Sequence, residues 1–77
     1  MEDIELATLV NASRDGDADA FAEIVRRFER MARATGYALL GDAHQAEDAA
    51  QDAFIDAYYA LPQLREAAAF PGWFRRI

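Results

Sequence analysis

Apolar residues recur along this chain at steps of three and four, the spacing of one face of a helix. No alternating run is long enough for a strand, so every segment reads as helix. From Ile4 to Arg14 the pattern puts Leu6, Leu9 and Val10 on one side, and Gly16 suits the stop that follows. Asp17 then caps a second helix over Ala18 to Leu40, with Asp19 and Glu23 near its positive end. Phe21, Ile24, Val25, Phe28, Met31, Ala32 and Leu39 form its core stripe, along a helix of about 34 Å. Gly36 lies inside it and is expected to bend or weaken its last turn.

Asp42 is placed to cap a third helix, with Gln45 completing a capping-box-like exchange. That helix should end at Leu61, because proline disfavours a helical residue before it and Pro62 comes next. A polar connection, Pro62 to Ala69, leads to Pro71 at the first position of a fourth helix carrying Trp73, Phe74 and Ile77. The expected fold class is all-α, a compact bundle of three main helices plus the start of a fourth.

The third helix has two faces of different chemistry. Ala46, Ala50, Ala53, Phe54, Ala57 and Leu61 make a core stripe, while Asp48, Gln51, Asp52, Ile55 and Tyr59 share the other side. An ordinary wet face would carry Glu or Lys where Ile55 and Tyr59 stand. Acceptors mixed with apolar groups suit docking onto a basic protein surface better than catalysis.

Composition narrows the partners. The 77 residues make one small domain, and a chain of this size buries only ~60% of its unfolded surface. Cysteine is absent, which removes disulfides and thiolate metal sites. No apolar run approaches a membrane span, and the acidic start, MEDIE, is unlike a secretory signal. These features set the expectation of a cytoplasmic protein with no membrane contact. The formal charge of −6, with arginine as the sole basic residue type, argues against a free-standing duplex binder and favours a basic partner.

Candidate chemistry is sparse. Asp15-Gly16-Asp17-Ala18-Asp19 resembles the start of a calcium loop, but the sixth and twelfth positions are Ala20 and Arg26 instead of Gly and Glu. His44, the one histidine, has Asp48 a turn away, a pair better suited to a surface salt link than to a catalytic or metal site. Ser13, Thr8 and Thr35 carry no nucleophile motif, so no catalytic residue, metal or cofactor is expected. Arg26, Arg27, Arg30 and Arg33 read as a solvated side paired with nearby acids. Phe70, Trp73 and Phe74 could stack bases, but closing the core fits them better, with Phe74 and Ile77 inside and Trp73 partly exposed.

The run Ala46-Glu47-Asp48-Ala49-Ala50-Gln51-Asp52-Ala53-Phe54 resembles the AEDxxQxxF signature of extracytoplasmic-function sigma factors. Gly16-Asp17 with Ala20-Phe21, then Leu40-Gly41-Asp42, Ala60-Leu61-Pro62, and Phe70 with Trp73-Phe74 and Arg76-Ile77 follow in register, over roughly residues 6 to 77. The resemblance implies a sigma region-two domain that binds core RNA polymerase and promoter DNA and helps to melt the promoter, without catalysis. It implies docking on the β′ clamp helices through Glu47, Asp48, Gln51 and Asp52, with Ile55 as apolar filler. It implies base capture by Gln63, Leu64 and Arg65, with Trp73, Arg75 and Arg76 where the DNA-contacting segment begins. The chain would then stop short of that basic segment and of a helix-turn-helix domain.

Ala49, Ala50, Tyr58 and Asp56 depart from residues usual in that family, and the two small alanines bury less area. Charge reversal at Asp52 should cost more docking affinity than reversal at Glu2, outside the match. The fragment is expected to self-associate through its C-terminal aromatic segment or to fray there, because so short a helix cannot stand alone. Two other classes stay open: a sigma-like module bound by an anti-sigma-type regulator, and a structural helical domain that oligomerises.

Overall fold

A computed structural model describes residues 4–77; Met1, Glu2 and Asp3 lie outside the described residues, and with them the Glu2 control. Four α-helices follow in order: α1 (Leu6–Arg14), α2 (Ala18–Leu40), α3 (Ala43–Ala60) and α4 (Phe70–Arg75). Two 3-10 turns, Leu61–Gln63 and Ala67–Ala69, join α3 to α4. Among the described residues there is no strand, and the bundle measures 35 × 30 × 19 Å.

The helix ends follow from side chains at the expected positions. Gly16 (φ +100°) closes α1 in a Schellman arrangement: its N–H donates to Ser13 O, and that of Asp17 donates to Ala12 O, each at 3.0 Å. The Asp17 carboxylate accepts from the Ala20 N–H at 3.1 Å and starts α2. Asp42 does the same for α3, accepting from the Gln45 N–H at 3.0 Å. The reciprocal bond from the Gln45 side chain does not form, so the exchange is one-sided. Helix α3 ends at Ala60, and Leu61 and Pro62 tighten directly into the first 3-10 turn.

The core collects Leu9 and Val10 of α1, Ala20 and Ile24 of α2, Phe54 and Ala57 of α3, and Phe70 and Phe74 of α4. Phe74 stacks on Phe54 at a centroid separation of 4.9 Å and lies nearly parallel to Phe70 at 5.6 Å. Phe28 meets Phe70 edge-on at 5.3 Å, so rings from three helices lock α4 in place. The six residues of α4 are too few for an isolated helix, and this packing holds them.

Two expectations change, and Gly36 takes a packing role inside α2, which runs unbroken to Leu40. A Cβ there would lie 3.2 Å from Ala46 Cα and 3.3 Å from Ala46 O, so the missing side chain lets α2 and α3 touch backbone to backbone. Leu39 is not core: it is 80% exposed, with Tyr37 and Leu40 also open, because Gly36 against Ala46 carries the helix contact at this end. Ile77 is not inside either. At 41% exposed, it follows the last turn of α4 on the rim of a cavity of about 280 Å³, between α2, α3 and the C-terminus.

The connection between α3 and α4 is less polar than its composition suggests. Leu61, Leu64, Ala67 and Phe70 are all buried, one residue in every three. That period matches the three residues per turn of the 3-10 geometry found at both ends of the segment. It sends the pairs between, Gln63 and Arg65 among them, to the surface.

Candidate docking face and recognition loop

The buried stripe of α3 consists of Ala46, Ala50, Phe54 and Ala57, with Ala53 half-buried beside it. Turning that stripe inward forces Glu47, Asp48, Gln51, Asp52, Ile55 and Tyr59 outward, and all six are exposed. Ile55 and Tyr59 hold 55% and 76% of their surface in the open, within a carboxylate-lined strip. Asp48, Asp52 and Asp56 repeat at four-residue steps, a run of about 12 Å at 1.5 Å per residue. Helix α3 contains no arginine or lysine. Among the described residues none of these three aspartates forms an ion pair, and the His44–Asp48 link does not form.

Glu47 differs from its neighbours on this face. Its carboxylate sits 3.7 Å from Arg33 Nε on α2, and Arg33 also reaches Glu29 at 3.8 Å. Two further α2 arginines are likewise paired locally. Arg26 and Arg27 both bond to Glu23, at 2.9 and 3.1 Å, and Arg30 is solvated. The hydrogen bonds from Arg26 and then Arg27 hold the Glu23 carboxyl below its ordinary value of 4.5. The Asp17 carboxylate is occupied by its cap, and among the described residues no group of three His, Cys, Asp or Glu could hold a metal.

A second surface lies on the connection. Gln63 and Arg65 are exposed, but Leu64, expected to contact DNA with them, is only 5% exposed and belongs to the core. The period of three removes its side chain from the surface. Arg14 of α1 was not singled out by sequence. One of its Nη atoms donates to the Leu64 carbonyl and the other to Asn11 Oδ1. Leu64 N–H donates to Leu61 O at 3.0 Å. Trp73 is half-buried, 5.8 Å from Phe70 between ring centroids, while Arg75 and Arg76 are exposed. The three-residue spacing of Leu61, Leu64, Ala67 and Phe70 was the available signal for the buried loop. Nothing in the spacing of Arg14 marks its long-range bond.

Comparison with known proteins finds matches along this same stretch. The family model for Sigma-70 region 2 matches residues 24–77, which include α3, the connection and α4. The chain is 41% identical over 64 residues to the ECF RNA polymerase sigma factor SigW of Bacillus subtilis, covering 83% of this chain and 34% of that protein. It is 38% identical over 69 residues to the RNA polymerase sigma-H factor of Pseudomonas aeruginosa, covering 90% of this chain and 36% of that protein. The chain thus spans about a third of the length of these two relatives. No solved structure matches it.

Proposed function

The chain belongs to the Sigma-70 region 2 family, and on that premise we propose that it is the polymerase-docking domain of an extracytoplasmic-function-like sigma factor. In transcription initiation it binds core RNA polymerase, and in the intact factor it helps to open promoter DNA. Its role is binding and not catalysis.

The observation that carries this reading is the outward face of α3. Like charges four residues apart cost a helix roughly 0.2–0.5 kcal/mol per pair. Asp48, Asp52 and Asp56 make two such pairs in succession, with no arginine or lysine on α3 to offset them. Exposed Ile55 lies between two of these acids in sequence, where a docked surface would cover it. A basic partner surface, the β′ clamp helices of the polymerase, relieves the repulsion and covers the apolar groups together. Gln51 contributes an amide that can donate and accept at the same contact.

The exposed side chains of Gln63 and Arg65 act as the second contact. They meet bases of the melted strand, and Trp73 and Arg75 belong to α4, the helix into which the connection leads. Net charge −6 keeps duplex affinity of this chain negligible at physiological salt.

Calorimetric titration against a clamp-helix fragment tests the docking. Asp52→Arg should weaken binding by about tenfold, the equivalent of ~1.4 kcal/mol. Asp15→Arg, outside the face, should leave it unchanged. If both variants bind like the parent, the docking assignment is wrong.

A further inference from the structure

Leu64 sits between two exposed polar residues and is fixed from three directions. Its side chain is buried in the core, its N–H is bonded to Leu61 O, and its carbonyl accepts from Arg14. The first two anchors lie within the connection and the core below it. The third reaches across from α1, fifty residues earlier in the chain. Asn11, one turn back on α1, holds the other arm of the same guanidinium and so sets its direction.

We infer that Arg14 is a positioning residue for single-stranded DNA capture: its planar fork, aimed by Asn11, fixes the Leu64 carbonyl so that Gln63 and Arg65 stand outward together. This rests on the reading of residues 63–65 as the base-contacting loop. An arginine suits the task better than a lysine. Its two Nη groups diverge in one plane, so one can take the loop carbonyl while the other stays on Asn11. Without it the Leu64 carbonyl would turn to water, and the backbone joining Gln63 to Arg65 would sample several conformations. Capture of a base would then have to order the loop first, which weakens binding without removing any DNA contact.

The alternative role, direct contact of Arg14 with phosphate, makes a different forecast. A lost phosphate contact lowers the salt slope of single-strand binding by about 0.7, whereas a lost positioning bond leaves the slope unchanged.

The test uses the 77-residue chain with a fluorescent single-stranded oligonucleotide, a clamp-helix fragment, and amide exchange read residue by residue. Arg14→Ala should weaken oligonucleotide binding by about three- to tenfold at unchanged salt slope, and leave clamp-helix affinity at the parent value. It should speed exchange of the Leu64 amide while the α3 amides keep their parent rates. Arg14→Lys should recover part of the loss. Asn11→Ala, which alters no charge, should reproduce part of it.

Unchanged Leu64 exchange, or a loosened loop with parent oligonucleotide affinity, would overturn the inference. So would a salt slope lowered by about 0.7. If the parent chain itself captures no single strand while the exchange difference is present, the DNA reading of the loop has failed and the inference falls with it.

Discussion

Helices α2 and α3 both carry a charged outer side, yet they treat those charges in opposite ways. On α2, Glu23 serves Arg26 and Arg27, and Arg33 lies within 4 Å of Glu29 and Glu47, so most charges find a partner inside the chain. On α3, Asp48, Asp52 and Asp56 stand in line with no ion-pair partner among the described residues, beside exposed Ile55 and Tyr59. The first arrangement is largely satisfied within the chain. The second is stabilised by whatever brings positive charge and an apolar surface. Within one bundle, the contrast separates a solvated face from the face proposed for docking. Glu47 marks the border, since it is the α3 acid that α2 already neutralises.

The largest expected effect is on docking. Reversing Asp48 and Asp52 together should lower clamp-helix affinity by about a hundredfold, from two contacts of ~1.4 kcal/mol each. Glu23→Gln, on the self-satisfied side, should leave the affinity at the parent value. Titration calorimetry reads both, and equal losses would erase the distinction between the faces.

The contact that holds the two helices together comes next. Gly36→Ala removes a flexible residue from a helix interior, a change that ordinarily stabilises by ~0.5–1 kcal/mol. Here the added methyl meets the Ala46 backbone, which has no side chain to rotate aside. The variant should instead lose about 1–3 kcal/mol in urea unfolding, the usual range for overpacking. For 77 residues, total stability is on the order of 4–12 kcal/mol, so the loss would be plain in the unfolding midpoint. A gain in stability would mean that the helices have room at this crossing.

A smaller effect should change sign between the faces. Asp52→Asn relieves two like-charge neighbours and should raise stability by roughly 0.4–1 kcal/mol at low salt. Glu23→Gln removes the acceptor of two arginines and should lower the melting temperature. Thermal unfolding of the two variants in parallel checks this, and the docking account needs the opposite signs.

The smallest effect is a titration. The Glu23 carboxyl should titrate below 4.5, because Arg26 and then Arg27 hydrogen-bond to its ionised form. Its pKa is lowered on folding, so its contribution to stability is fully present above the unfolded value. It is lost as pH falls through the lowered one. Carbon-detected NMR reads the midpoint directly, and Arg26→Ala with Arg27→Ala should return it toward the ordinary value.

Much of this molecule is legible in its sequence because its signals are local. Asp17 and Asp42 cap the helices that they precede, and the alanine stripe of α3 is buried as its period requires. Such features depend on residues three or four apart. What sequence does not disclose depends on partners far along the chain. Gly36 is a contact only because Ala46 lies opposite, and Leu39 is exposed for the same reason. Leu64 is the exception, since a local period of three buries it inside a segment whose composition looks polar. The bond of Arg14 to Leu64 joins residues fifty apart, beyond any periodicity. The α3 aspartates lie between these cases: their exposure follows from the helix period, and their lack of ion-pair partners among the described residues emerges only when every nearby arginine is located.

The central claim is that the α3 aspartates await a basic surface, and its most direct test is the salt dependence of clamp-helix binding. Affinity of the parent should fall steadily as ionic strength rises from about 0.05 to 0.3 M, across which the Debye length shortens from roughly 14 to 6 Å. Asp52→Asn should bind more weakly at low salt and show a shallower slope, so that the two curves converge at high salt. Parallel curves, or a parent affinity indifferent to salt, would contradict the account.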